Sequence, residues 1–196
     1  VNQLKSEIMT EISAVLAFSA IQNNDKVGVI FFSDTVEKFI PPKKGKQHIL
    51  RIIRELLNFE PKRTGTDIGV ALRYLNNINK KHSITFIISD FLTTGYEDPL
   101  RIAARRHDII GVHLIDPREE KLPNVGLLRA QDAETGQVGW IDTASASVRE
   151  RYENWFQQHQ DYFTKTFRKS GADTIGIRTN ESYVDALHKF FVQRAK

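Results

Sequence analysis

Residues 84–116 read ITFIISDFLTTGYEDPLRIAARRHDIIGVHLID, and the fold class turns on how this stretch is read. Ile84–Ile88, apolar but for Thr85, reads as a buried strand covered on both faces, and it stops at Ser89 and Asp90. A modest helical pattern from about Asp98 to Arg106 follows. A second continuous run, Ile109–Ile115, ends at Asp116 and Pro117. Helices alternating with doubly buried strands argue for a parallel sheet with helices on both faces, a doubly wound α/β fold.

The same rhythm extends outward in both directions. Upstream, Leu4, Ile8, Ile12 and Val15 share one helical line with Met9 and Leu16 beside it, and the pattern becomes apolar nearly all round from Ala14 to Ile21 before Asn23, Asn24 and Asp25 end it. Val27–Phe32 is another continuous strand run, closed by Ser33 and Asp34. Val36–Ile40 reads as a short strand stopped by Pro41 and Pro42. A helix then carries Ile49, Ile53, Leu56 and Leu57 on one face, and after a turn at Pro61–Gly65 a second carries Ile68, Leu72, Leu75 and Ile78.

Downstream, Leu127–Gln131 and Val138–Ile141 flank Asp132–Gly136 as an antiparallel hairpin. A long helix from about Ser145 to Lys169 places Tyr152, Trp155, Phe156, Tyr162, Phe163 and Phe167 at core spacings. A strand at Thr174–Ile177 and a helix at Tyr183–Arg194 complete the chain. With no internal repeat and no low-complexity linker, residues 1–196 read as one domain.

Composition narrows the classes. At 196 residues and 40% apolar content the chain is long enough for a substantial core and too apolar for disorder. It contains no cysteine, which excludes disulfides, thiolate zinc and a cysteine nucleophile and fits a reducing compartment, so a cytoplasmic location is expected. No apolar run approaches the ~20 residues that span a bilayer, and no membrane insertion by this segment is expected. The net charge of +4 is uneven: Lys38–Arg63 holds eight basic residues against Glu55 and Glu60, a local +6 that leaves −2 for the remainder. Lys43, Lys44, Lys46, Arg51, Arg54, Lys62 and Arg63 form the body of this basic patch. Such a field steers an acidic protein or a nucleic acid, although charge runs are more often simply solvated faces.

In an open parallel sheet, ligands bind outside the carboxyl ends of the strands. Asp34, Asp90 and Asp116 stand at such ends, with Ser33 and Ser89 beside the first two, and Thr64, Thr66 and Asp67 lie on a loop entering a helix. Carboxylates and hydroxyls are hard donors suited to magnesium, manganese or calcium. Thr66 with Asp67 reads equally as a helix N-cap. No phosphate-binding glycine loop, dinucleotide fingerprint or nucleophile elbow is present.

The strings LAFSAIQNNDKVGVIFFSD, FIPPKKGKQHIL, RTGTDIGVAL, FIISDF, LIDPREEKLPNVGL, DAETGQVGWIDT and GADTIGIRTNESYVDALHKFF, in this order over nearly the whole chain, resemble the bacterial family called domain of unknown function 58. That family looks like a divergent von Willebrand factor A domain, a Rossmann-like doubly wound fold whose metal-ion-dependent adhesion site uses three segments. By that resemblance Thr66 in RTGTDI and Asp90 in IISDF are metal ligands. The D-x-S-x-S segment has no counterpart here, so the chain is expected to start after it, as an N-terminally truncated domain lacking its central first strand.

Three expectations follow from the resemblance. Magnesium, or manganese or calcium, belongs to the full-length protein and is not held by this piece. Val27–Phe32 and Ile84–Ile88 flank a place filled by another segment or another molecule rather than pairing directly. The implied function is a non-enzymatic interaction module that takes an acidic protein ligand and acts with a MoxR-type AAA+ ATPase in protein assembly or maturation. A magnesium-dependent hydrolase using Asp90 with Asp34 or Asp116 is the alternative. Nucleic-acid binding is disfavoured because the aromatics lie on a core stripe away from the basic segment.

Overall fold

Ile109–Ile115 lies within the most deeply buried strand, and the other elements are arranged around it. The computed structural model describes residues 5–131 and 136–195; Leu4 and the turn residues 132–135 lie outside them. Strand β4 (Asp108–Ile115) is the middle of a three-stranded sheet, parallel to β3 (Ile84–Ser89) on one side and to β7 (Asp173–Arg178) on the other. Side chains alternate across it. Ile110, Val112 and Leu114 of β4, with Ile175 and Ile177 of β7, pack against Ile8 and Ile12 of α1 (Lys5–Gln22) and Leu187 of α6 (Tyr183–Arg194). On the opposite face, Ile109 and Ile87 meet Ile68, Leu72 and Leu75 of α3 (Ile68–Ile78), Leu100 and Ala103 of α4 (Glu97–Ala104), and Phe163 and Phe167 of α5 (Ala146–Ser170). The molecule is therefore α/β, with a parallel sheet covered on both faces.

A second, antiparallel sheet joins β1 (Val27–Phe32) to β2 (Val36–Lys43), and α2 (Lys46–Leu57) packs on it through Ile49 and Ile52. Three expectations are corrected here. The strand does not stop at the prolines: β2 runs through Pro41 and Pro42 to Lys43, with a register shift between Val27 and Val29 opposite them. Both prolines are exposed on a strand with a single neighbour, where a missing N–H leaves no ladder bond unmade. The inner face of α2 is also rotated from the one expected. Ile49 and Ile52 are buried, Ile53 and Leu56 are half-buried, and Leu57 is 70% exposed. Ile78, expected inside α3, lies at its open end and is partly exposed.

No ladder joins β1 to β3 among the described residues, so direct pairing of these strands is not what the fold adopts. The two sheets are held together by helices instead. Along one face, α1 places Ile8 and Ile12 on the three-stranded sheet and Ala17 on the β1–β2 side. Along the other, the cluster of Ile68, Leu72 and Ile87 also takes in Ile30 and Phe32 of β1. Burial follows this division: β4 is buried from Ile109 to Leu114, whereas Val29, Ile30, Phe32, Phe86 and Ile88 are only half-buried. Full cover on both faces thus holds for β4 and only partly for β1 and β3.

The hairpin is as expected. β5 (Leu127–Gln131) pairs with β6 (Val138–Asp142), and Gly136 adopts a positive φ of 70°. Phe156, Phe163 and Phe167 are the core side chains of α5, while Trp155 is 40% exposed. Gly111 sits where the rings of α5 press onto β4: a Cβ there would lie 2.6 Å from Phe167 Cε1 and 2.9 Å from Phe163 Cε2. Close-packed interiors do not absorb such an insertion. Gly111→Val is expected to lower stability by about 2–3 kcal/mol or to prevent folding, read as the urea midpoint of unfolding, whereas Gly176→Ala, with open space at its Cβ, stays near wild type.

Candidate functional site

Because β1, β3 and β4 each follow or precede helices in one sense, they deliver Ser33–Asp34, Ser89–Asp90 and Asp116 to the turns at their carboxyl ends. The loop carrying Thr66 is stitched to the first of these turns by several bonds. The Asp67 N–H donates to the Ser33 carbonyl at 2.9 Å. Arg63 Nε lies 2.7 Å from Asp34 Oδ1, and Gly65 is so close that a Cβ on it would sit 3.4 Å from the Asp34 Cβ. Asp67 also caps α3, its Oδ1 accepting the Val70 N–H at 3.0 Å, so the N-cap reading of this residue is correct.

On its other side the loop meets the turn after β3. The Thr93 hydroxyl donates to the Thr66 carbonyl at 3.3 Å. The segment bearing Thr66 therefore bridges the turns bearing Asp34 and Asp90, and Thr64 in the same loop is exposed.

Glu37 escaped the sequence reading. Its carboxylate accepts the N–H groups of Lys62 and Arg63 at 3.1 Å each and the Ser33 hydroxyl at 2.8 Å. Burial pushes its pKa up, but the Lys62 N–H, the Ser33 hydroxyl and the Arg63 N–H together outweigh it and hold the carboxyl below its ordinary range. One side chain thus holds two successive backbone N–H groups of the Pro61–Gly65 turn. Nothing in VEKF distinguishes such a glutamate from a solvated one; only the turn it faces gives it a role.

The turn after β3 is unusual. Phe91 is a non-glycine residue at φ 50°, a left-handed conformation that costs roughly 1 kcal/mol. It is 1% exposed, its ring 4.2 Å from that of Phe163, 5.3 Å from Phe167 and 5.8 Å from His113 by centroids. Ser89 Oγ accepts the Phe91 N–H at 3.1 Å. Burial drives the His113 pKa down to about 4, against the opposing pull of the Asp90 charge and a hydrogen bond to the Asp90 backbone. Burial of the Phe91 ring offsets the cost of its backbone, and Asp90 is presented as a result.

Each strand-end carboxylate already has a cation from this chain. Asp34 has Arg63, and Asp90 has the Lys5 ammonium at 3.6 Å, which also pairs with Glu119. Asp116 is held by Arg118, whose Nη2 is 2.6 Å from Oδ2 and whose N–H donates to Oδ1 at 2.9 Å, capping the 3-10 turn Pro117–Glu119. That guanidinium keeps the Asp116 carboxyl below its usual range. Among the described residues no group of three or more histidines or carboxylates converges to hold a metal ion. Thr66 and Asp90 offer two hard oxygens where magnesium demands about six, so the residues present do not by themselves fit that ion.

The basic patch follows the outside of the β1–β2 unit: Lys43 closes β2, Lys44 and Lys46 lead into α2, and Arg51 and Arg54 line its outer face, all exposed. Arg63 turns away to Asp34, while Lys62 remains outward.

Two outcomes are expected. Titrated by NMR, the His113 ring should change protonation near pH 4, and a midpoint near 6.5 would contradict its burial. Glu37→Gln should speed amide exchange at Lys62 and Arg63 about tenfold at neutral pH while leaving Val70 unchanged. Since the Glu37 pKa is lowered on folding, this protection is present above about pH 4.5 and lost as pH falls through the folded value.

Comparison with known proteins agrees with the resemblance read from the sequence. An uncharacterized protein of Mycobacterium bovis is 26% identical over 195 residues, covering 98% of this chain and 61% of its own length. An uncharacterized protein of Mycobacterium avium is 26% identical over 160 residues, covering 80% of this chain and 94% of its own. The chain thus spans about 61% of the length of the first of these relatives. Among solved structures, an aerotolerance-related membrane protein from Bacteroides fragilis matches at a TM-score of 0.47 and 15% identity, over 81% of this chain and 88% of that one. No helix among the described residues is long and apolar enough to cross a membrane. The model of the family described as protein of unknown function DUF58 matches residues 1–162, and the chain belongs to that family.

Proposed function

We propose that this chain is a non-enzymatic protein–protein interaction module of the von Willebrand factor A type. In this reading it works in the cytoplasm beside a MoxR-type AAA+ ATPase in protein assembly or maturation, and it engages an acidic protein ligand at the edge where Thr66 and Asp90 stand. The observation that carries the reading is the bridging loop: Thr66 is held between the turns after β1 and β3 by the Asp67–Ser33 and Thr93–Thr66 hydrogen bonds. Asp34, Asp90 and Asp116 are each engaged by a cation of the chain, which leaves none of them a free general base and favours recognition over hydrolysis. The resemblance of the sequence supports the ATPase partnership and a dependence of the whole protein on magnesium, manganese or calcium. For that dependence, oxygen ligands from beyond the described residues must join Thr66 and Asp90.

The test is capture of a purified MoxR-type ATPase by the full-length protein, first with magnesium and then with chelator. Retention should fall at least about tenfold with chelator and equally with Thr66→Ala or Asp90→Ala, the loss expected when charge-assisted contacts are removed. Retention indifferent to all three would overturn the reading. Magnesium-dependent hydrolysis abolished by Asp90→Asn would replace it with the hydrolase.

A further inference from the structure

The outer face of α2 carries a pattern that neither the core nor the carboxyl edge uses. Ile49 and Ile52 point inward, yet Leu50 is 45% and Leu57 70% exposed, with the half-buried Ile53 between them. These three residues lie three and four positions apart. This is the a, d, a spacing of a coiled-coil seam, a stripe narrower than the apolar face of a helix that lies on a sheet. Arg54 then falls at the e position beside the seam, with Arg51 next to it on the outer face. Among the described residues Lys43, Lys44, Lys46, Arg51, Arg54 and Lys62 make no ion pair, whereas Lys38 and Arg63, the other two cations of the segment, are engaged by Glu55 and Asp34.

A solvated face accounts for the cations but leaves the leucines without a reason. Two exposed leucines at heptad spacing are a liability on a monomer surface unless something covers them. Phosphates give leucine nothing to contact, which argues against a nucleic acid. A bilayer surface favours a broad apolar face with tryptophan or phenylalanine, and α2 has neither. A helix with leucine at its own a and d positions and acidic residues flanking them meets both requirements: it covers Leu50, Ile53 and Leu57 and sets carboxylates against Arg54 and Arg51. A hydrogen bond from Lys38, and then the charges of Lys38, Arg51 and Arg54, already hold the Glu55 carboxyl below its ordinary range.

We propose that the exposed face of α2 docks an acidic amphipathic helix of a protein partner. This surface is separate from the Thr66 edge, and its test does not depend on metal or on the ATPase. The helix is 12 residues, about 18 Å long, but the apolar seam from Leu50 to Leu57 covers about one heptad of it, with Lys46 at the preceding d position, so it seats a short stretch of partner helix.

The probe is a fluorescent synthetic peptide of about three heptads with Leu at a and d and Glu at e and g, the glutamates also keeping it from pairing with itself at neutral pH. Followed by anisotropy in low salt, it should bind with a Kd on the order of 10–100 μM and weaken about tenfold by 0.5 M salt. Leu50→Ser with Leu57→Ser, and separately Arg51→Glu with Arg54→Glu, should each weaken binding at least about tenfold. All four side chains are exposed, so each variant is expected to fold, with circular dichroism as the check.

Two control peptides need no variant protein. One with Ser at a and d, and one with Lys at e and g, should each bind at least about tenfold more weakly than the probe. The proposal is overturned if the Ser peptide binds as well as the probe, if the leucine variant binds normally, or if no saturable binding occurs by about 1 mM. Binding to phosphatidylserine vesicles in preference to the peptide also overturns it, in favour of a membrane surface.

Discussion

Both faces of β4 have to be kept from water, and this constraint places α1 and α6 on one face of the three-stranded sheet and α3, α4 and α5 on the other. Six consecutive residues of that strand, Ile109 to Leu114, are buried, which leaves room for polar chemistry only where a side chain is satisfied or neutral. His113 is neutral for that reason, and Gly111 is bare because the rings of Phe163 and Phe167 occupy the space above it. The α5 helix owes its aromatic stripe to this contact. Toward the N-terminal half of the 25-residue α5, Phe156 is still buried, the half-buried Tyr152 donates its hydroxyl to the Glu119 carbonyl, and the exposed Trp155 lies 5.6 Å from the Tyr152 ring by centroids.

The turn at Asp90 depends on the same packing. A left-handed Phe91 persists only because its ring is sealed among Tyr96, Phe163 and Phe167 and touches His113. The candidate edge is thus built in two ways: after β3 a buried aromatic cluster sets the backbone, and before Thr66 polar contacts do so, the Glu37 carboxylate on the Lys62 and Arg63 N–H groups together with the Arg63–Asp34 pair and the Asp67–Ser33 bond. The first arrangement is dry, and the second is partly open to solvent and rests on charged side chains.

Much of this was legible in the sequence because burial on two faces forces continuous apolar runs. Val27–Phe32, Leu127–Gln131 and Tyr183–Arg194 coincide with their elements, and the other strand runs differ from theirs by one residue at an end or at both, except Val36–Ile40, which falls three residues short of β2. The Asp67 cap and the hairpin turn at Gly136 were legible for equally local reasons. The failures come from context. Pro41 and Pro42 look like a stop, yet at an edge they cost no hydrogen bond; Leu57 fits the inner face of α2 by spacing alone, yet the helix is rotated so that Ile49 and Ile52 fill the available space. The partners of the acidic residues were not legible either. Lys5 reaches Asp90 across 85 positions, and no local pattern predicts an ion pair between a first helix and a strand end.

The division into two sheets has a mechanical consequence. Within each sheet, neighbouring strands are tied by ladders of directional bonds that resist shear until several break together. Between β1 and β3 the described residues show no such ladder: apolar contacts of α1 on one side and α3 on the other join the two sheets, with the hydrogen bonds of the Thr66 loop at the carboxyl edge. Apolar surfaces of this kind slide at lower cost than hydrogen-bonded ones, because dispersion is not directional. Among the described residues, directional bonds therefore hold each sheet internally, while largely non-directional contacts hold one sheet to the other along the seam between them. The loop carrying Thr66 crosses that seam, bonded to one sheet through Ser33 and to the other through Thr93, so a load applied there is felt as strain across the joint.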